Sequence, residues 1–487
     1  MTSSRVWGLV ALGGGRRVPA STRWWQSVVM RTSLTFLGGA GTVTGSKYLL
    51  TVGDRRILID AGLFQGEKEL RELNWAEFGV PPASVGDVLL THAHMDHVGY
   101  LPRLVRGGFA GRVWATAASV RLAEIVLRDS AFLNERDAEH AAERGYSRHR
   151  PPLPLYTTAD VEATLPLFRT VGYHERLDLG DGIVARYYRA GHILGAASIH
   201  VTTPTAEVVF SGDVGRHTHP VLRPREVPPG AATVLIESTY GDREHPEPSV
   251  AHEPFADLIR RTARRGGSVL VPAFAVDRTE VLLKTISEMQ ADGRIPQLPV
   301  FVNSPMALAA LAVYRDPEFA DELRPDLDPA HFIDLPLLRE VRSTEESMRL
   351  NDPKHPCIII ASSGMATGGR VLHHLEHMLP DHRHSVALVG YQGEGTRGRS
   401  LVDGAAQLKM HGRYVPVRAE VLQDDEFSVH GDRSDLLDWL AELDPRPRTV
   451  FTVHGTPEVG RAFGAHITER TGGVAVVPTL GETVRLG

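Results

Sequence analysis

The chain has 487 residues, 42% of them hydrophobic and 23% charged, which suits two to four globular domains with a sizeable core and excludes wholesale disorder. A formal net charge of −6, from 53 basic and 59 acidic side chains, argues against a whole-surface polyanion binder while leaving room for a local basic groove. No run approaches about 18 uninterrupted apolar residues, so no membrane helix and no membrane partner is expected. The single cysteine, Cys357, can form neither an intrachain disulfide nor a thiolate metal cage and reads as a small buried hydrophobe.

In chain order, residues 1–30 stand apart. Residues 1–32 carry arginine at 5, 16, 17, 23 and 31, and no acid precedes Asp54. The segment reads as an N-terminal extension, either an upstream start with Met30 opening the folded chain, a disordered tail, or an Arg-rich targeting peptide. From Leu34 the chain reads as short strands divided by glycine turns: Leu34–Leu37, Lys47–Val52, Arg56–Asp60 and Asp87–Thr91. A helix is expected over Val98–Val105 and a longer one over Ala117–Arg144, ended by Pro151–Pro154. Strand patterns return at Ile183–Arg189, Ser198–Thr203 and Val208–Gly212. An antiparallel sheet with helices on one side fits this half.

The middle alternates strand and helix: Val234–Glu237, Glu253–Arg265, Val269–Phe274, Arg278–Ala291, Pro299–Asn303, helices between Ala307 and Met348, Cys357–Ala361, Arg370–Met378 and Ser385–Tyr391. That βαβ rhythm implies a mostly parallel sheet covered on both faces. After about residue 400 a strand-and-turn style resumes. The expected layout is an α/β protein in which one domain interrupts another: an outer domain at 31–235 and 401–487, and an inner domain at 236–400.

Histidine is the outlier, with 23 copies. His92, Ala93, His94, Met95, Asp96 and His97 come directly after a strand. Side chains two apart on a strand point the same way, so His92 and His94 can grip one ion, while Asp96 and His97 face elsewhere from the next turn. Four ligand-type residues in so short a stretch suit two adjacent ions better than one. Imidazole and carboxylate without thiolate suit zinc, with manganese or iron as alternatives.

This cluster resembles the HxHxDH signature of the metallo-β-lactamase superfamily, and three further positions match that family in order. Asp60 resembles its first motif, His192 in Gly191-His192-Ile193 its third, and Asp213 in Ser211-Gly212-Asp213 its fourth. The inserted α/β stretch is similar to that of the β-CASP nucleases, which include ribonuclease J and the endonuclease subunit of the eukaryotic pre-mRNA cleavage machinery. Glu237, His430 and His454 match the three additional motifs of that branch, and histidine at the last is the choice of its RNA-acting members. The resemblance spans about residues 33–480 and is nearest in size to the compact bacterial ribonucleases. It implies an αββα sandwich interrupted by the β-CASP domain.

The resemblance also implies roles. His92, His94 and His192 would hold one zinc, Asp96, His97 and His454 a second, with manganese as the substitute, and Asp213 would bridge them. Such a pair lowers the pKa of a shared water, giving a metal-bridged hydroxide. His430 is the candidate acid for the leaving 3′ oxygen, and Glu237 would orient it through its other ring nitrogen. Asp60 would orient a ligand histidine, or else hold backbone amides. The products expected from RNA are a 5′-phosphate and a 3′-hydroxyl.

RNA phosphate is expected at Ser362, Ser363 and Gly364, which lead into a helix N-terminus, and at Arg370. Arg278 is a further candidate, although Asp277 and Glu280 beside it would repel RNA or pair with it. His373, His374 and the run Asp381–His384 read as exposed helix-end groups rather than ligands. The expected function is a cytoplasmic zinc-dependent ribonuclease of RNA processing or decay, endonucleolytic or 5′→3′ exonucleolytic, with a homodimer as candidate assembly. The alternatives are a DNA nuclease, a small-ester hydrolase, or an inactive RNA-binding partner. All seven ligand positions are filled, which weighs against the last.

Overall fold

A computed structural model describes residues 31–144, 152–245 and 252–487. The N-terminal extension and Pro151 of the expected helix stop lie outside them. Alternating apolar side chains build the first sheet. In Thr32–Gly38 and Lys47–Val52 the inward positions Leu34, Phe36 and Leu50 have no exposed surface. The sheet runs from one edge as Thr483–Leu486, Thr32–Gly38, Lys47–Val52, Arg55–Ile59, Asp87–Leu89, Arg112–Ala115 and Phe168–Thr170. Its first four strands pair antiparallel and the rest parallel, so the antiparallel expectation covers half of it.

The second sheet runs Val474–Val476, Thr449–Val453, Thr233–Glu237, Glu207–Phe210, Ala197–Thr202, Ile183–Arg189 and Leu177–Gly180. The two sheets share one apolar layer, in which the rings of Phe36 and Phe451 sit 5.1 Å apart and those of Tyr48 and Phe210 6.4 Å apart. Each large apolar side chain in such a layer contributes roughly 1.5–3 kcal/mol.

Helices cover both outer faces. Ala117–Arg144 presents Ala118, Leu122, Val126 and Leu127 at helical spacing to the core of the first sheet. Arg433–Glu442 and Pro457–Thr471 close the second sheet through Leu436, Trp439, Leu440, Phe463 and Ile467. A strand-and-turn reading of the C-terminal stretch misses these two helices. Their signals are present: Asp432 caps the first in a capping box, and Thr456, Pro457 and the left-handed Gly472 (φ 76°) bound the second. The expected helix over Val98–Val105 is two short ones, Met95–Val98 and Leu101–Arg106.

The inserted sheet is wholly parallel, in the order Leu338–Glu340, Val300–Asn303, Ile358–Ala361, Val269–Pro272, Ser385–Leu388 and Glu420–Gln423. Two of its strands depart from expectation. Leu338–Glu340 lies in the stretch expected to be helical, and Glu420–Gln423 pairs inside the insert although the return to the outer domain is expected at 401. The chain re-enters the sandwich only after this last strand. Cys357 is buried and free. Among the described residues, no helix is long and apolar enough to cross a membrane.

Candidate active site

Strand ends and the turns behind them set the site. Arg55–Ile59 ends at Asp60, whose backbone is left-handed (φ 59°), and Asp87–Leu89 runs through Thr91 into His92. The loop after Asp60 lies flat against the histidine cluster because Gly62 has no side chain: a Cβ there would collide with the Asp96 carbonyl. His192 comes after Gly191, Asp213 after the strand Glu207–Phe210, and His454 ends Thr449–Val453. Tertiary structure thus gathers residues from both sheets at one edge of the sandwich.

They fall into two groups sharing one carboxylate. His92 Nε2 and His192 Nε2 each lie 3.1 Å from His94 Nδ1, and Asp213 Oδ2 lies 3.5 Å and 3.6 Å from His92 and His192. In the other group His454 Nε2 lies 3.1 Å from Asp96 Oδ2, and Asp213 Oδ1 lies 3.3 Å from His97 Nε2 and 3.8 Å from His454 Nε2. Each group converges tightly enough to hold a metal ion. An ion bound tetrahedrally at about 2.0–2.1 Å separates neighbouring ligands by about 3.3 Å, close to these spacings. His97 Nε2 and Asp213 Oδ1, both buried, have no hydrogen-bond partner among the described residues and lie 3.3 Å apart, where an ion would fit between the ligands. The residues therefore fit a metal in each group.

The second ring nitrogens are held from behind. Asp60 Oδ2 accepts from His97 Nδ1 and from Thr91 Oγ1 at 2.8 Å each, while Oδ1 accepts the Thr91 amide. Burial pushes the Asp60 carboxyl up, against the pull of His97 and these donors. Thr91 Oγ1 also lies 3.0 Å from His92 Nδ1, and Thr239 Oγ1 3.0 Å from His454 Nδ1. Sequence reasoning singles out neither threonine; both are near motif residues, and a hydroxyl there has no distinguishing pattern. Burial lowers His92, His94 and His192, the second of them to about 4, so these imidazoles are neutral and ready to ligate. Burial acts the same way on His454, but Asp213 and Asp96 outweigh it and raise that group to about 9.

His430 stands beside the first group, its ring 4.4 Å from that of His192. Both oxygens of fully buried Glu237 lie 3.1 Å from His430 Nδ1. Glu237 is itself fixed by the Val214 amide at 2.7 Å, and the His430 carbonyl by His245 Nε2 at 3.0 Å. Burial disfavours the charged imidazole, yet Glu237 overcomes it and raises the His430 pKa. With Nδ1 occupied, Nε2 is the nitrogen left to face a substrate.

The expected phosphate contacts are differently placed. Ser362 Oγ donates to Ser304 Oγ at 2.9 Å, Ser363 Oγ pairs with Thr367, and Gly364 is pressed against Phe274. Arg370 donates to Asn303 Oδ1 and to the Val341 and Arg342 carbonyls at 2.8, 3.1 and 3.2 Å. Arg278 is only 6% exposed and donates to the Val389 carbonyl. Both arginines are bonded within the inserted domain, Arg278 buried and Arg370 partly exposed.

The neighbouring carboxylates neither repel from the surface nor pair with Arg278. Asp277 accepts from Tyr314 Oη at 2.6 Å and from His219 Nε2 at 3.2 Å. Glu280 is fully buried, and burial pushes its carboxyl well above the usual range. His374 and His384, expected to be exposed, are buried and bonded to Asn303 and to the Ser268 amide.

Comparison with known proteins places most of the chain among known relatives. The sequence model of the metallo-beta-lactamase superfamily matches residues 40–273, that of the Beta-Casp domain residues 279–401, and that of a Zn-dependent metallo-hydrolase RNA specificity domain residues 414–478. The chain is 39% identical to a ribonuclease of Thermus thermophilus over 437 residues, covering 88% of this chain and 94% of the relative. It is 31% identical to the transcription termination factor FttA of Methanocaldococcus jannaschii over 441 residues, 87% of this chain but 66% of that longer protein. A crystal structure of an Enterococcus faecalis protein of unknown function shares the fold, with a TM-score of 0.50 at 15% identity, over 94% of this chain and all of that one.

Proposed function

The chain belongs to the metallo-β-lactamase superfamily, in its β-CASP branch, and from that premise we propose that it is a two-zinc ribonuclease hydrolysing RNA phosphodiesters to 5′-phosphate and 3′-hydroxyl ends. One observation carries the reading: Asp213 turns one oxygen to each of two converging ligand groups, with a histidine held by a carboxylate alongside. His92, His94 and His192 would hold one ion, Asp96, His97 and His454 the other, with Asp213 shared. When bound, the ions would activate water near neutral pH and offset charge on the phosphate oxygens. RNA as substrate is supported by the match to an RNA specificity domain, by the relative named as a ribonuclease, and by histidine at position 454.

The protein's own residues then do three things. Asp60, Thr91 and Thr239 hold the back nitrogens of His97, His92 and His454, fixing ring orientation before anything binds. Glu237 favours the protonated form of His430 and aims its ring. His430 Nε2 would deliver that proton to the leaving 3′ oxygen. The test is cleavage of one RNA labelled at its 5′ end beside the DNA of the same sequence, with the metal content of the same preparation measured. Two transition-metal ions per chain, loss of cleavage on chelation, and 5′-phosphate products on RNA are expected. Equal rates on DNA, or full cleavage by metal-free protein, would overturn the proposal.

A further inference from the structure

The chain passes between sandwich and insert twice. It leaves after the strand Thr233–Glu237 and opens the helix Glu253–Arg264, and it returns after Glu420–Gln423 toward His430. His252 on the outgoing passage meets Asp424 and Glu426 on the returning one, with one ligand atom from each within 4.8 Å of the others. None of the three belongs to the catalytic groups.

Their spacing is unusual for side chains that merely bond to each other. His252 Nδ1 lies 3.6 Å from Glu426 Oε2 and 3.9 Å from Asp424 Oδ2, both too long for a hydrogen bond. The Asp424 side chain is only 2% exposed. Its Oδ1 accepts the Glu426 amide at 3.0 Å, but Oδ2 has no hydrogen-bond partner among the described residues, and neither has His252 Nδ1. Leaving such atoms buried and unpaired is costly. A protonated His252 would close the gap to one carboxylate. The ring is held back from doing so: it stacks on Phe427 at 3.9 Å, its residue is left-handed (φ 60°), and its amide donates to Glu426 Oε2 at 2.6 Å. Of the nearby cations, Arg216 donates to the main-chain carbonyl of Glu426 and Arg278 to that of Val389; the Arg278 charge acts on Asp424 from a distance, but the buried Asp424 Oδ2 receives no hydrogen bond from it.

We propose that His252, Asp424 and Glu426 form an additional divalent-cation site that clasps the two interdomain passages together. One imidazole and two carboxylates without thiolate select a transition ion such as zinc or manganese over calcium or magnesium. Ligand distances of about 2.0–2.2 Å would place one ion between all three orphaned or half-occupied atoms. The clasp anchors the segment that leads into His430, so it ties the seating of the insert to the placement of that histidine.

The test counts ions. Full-length protein is loaded with Zn²⁺ or, separately, with Mn²⁺, desalted, and compared with Asp424→Asn and His252→Gln by elemental analysis. The unsubstituted protein should hold one more ion per chain than either variant. The difference, not the total, is the readout, so a catalytic centre that held one ion instead of two would leave the test intact. Equal counts in all three proteins would overturn the proposal. A second measurement does not depend on the variants folding: crystals of the unsubstituted protein grown with Mn²⁺ should show an anomalous peak between the three side chains, and its absence there would also refute the site.

Discussion

The sandwich edge and the inserted domain both carry the residues their sequence motifs promise, but they use them in opposite ways. At the sandwich edge, charged and imidazole groups converge on common points, with buried atoms left unpartnered. In the insert, Arg370, Ser362 and Ser363 bond to neighbouring carbonyls and hydroxyls and Arg278 to the Val389 carbonyl, although Arg278 Nε and both Glu280 oxygens stay buried without a partner among the described residues. A site that awaits an ion gathers its unpaired ligand atoms around one point, whereas a scaffold pairs most of the polar groups it buries.

The strongest way to break that contrast is Asp213→Ala. Because one carboxylate serves both groups, metal content should fall in both and cleavage should drop beyond about 10⁴-fold. Retention of full metal with modest loss would show that the two groups do not share it. His430→Ala should keep its metals and bind RNA nearly normally while cleaving about 10²–10⁴-fold more slowly, and less so on a nitrophenyl phosphodiester, whose leaving group needs no proton. Glu237→Gln should give a milder version of the same defect. Single-turnover rates beside metal analysis decide this, since loss of an ion in His430→Ala would make His430 a ligand.

Asp60→Asn tests support from behind. It should weaken metal affinity about 10–100-fold without removing a ligand, as read by competition with a chelator.

Lys47 sharpens the comparison from the sandwich side. Its ammonium donates to the Gly62 carbonyl at 2.6 Å beneath Phe64, and burial lowers its pKa to about 7 from 10.5. The unfolded chain therefore binds the proton more tightly. This group's contribution to stability rises with pH between about 7 and 10.5, by up to roughly 1.4 kcal/mol per pH unit, and is constant below. Lys47→Met should flatten that rise in denaturant melts; an unchanged slope would mean the amine stays protonated in the fold.

The smallest effect on catalysis is expected from Arg370→Met. It should lower stability by about 1–3 kcal/mol by orphaning its acceptors, while the salt dependence of RNA binding stays as it was. A slope reduced by about one would instead return Arg370 to the phosphate contacts.

Much of this is legible in the chain alone. The strand Lys47–Val52, the helices Ala117–Arg144, Arg278–Ala291 and Arg370–Met378, and the strand Ile183–Arg189 stand within the boundaries that periodicity sets. The seven histidines and aspartates of the centre are visible as motifs, because ligation demands particular residue types at particular offsets. The two C-terminal helices escape a strand-and-turn reading although their caps are written in the sequence. The strand Leu338–Glu340 is too short for its period to show.

Sequence by itself determined which side chains could bind metal and that an α/β insert interrupts the outer domain. Only the tertiary structure decided that Asp213 divides its oxygens between two groups, that Thr91 and Thr239 stand behind the candidate ligands, and that Arg278 is buried. The physical reason is distance. Ligand identity is a local property of each residue, whereas partnership between Glu237 and His430 exists only once the chain has closed long loops and desolvated what lies between them.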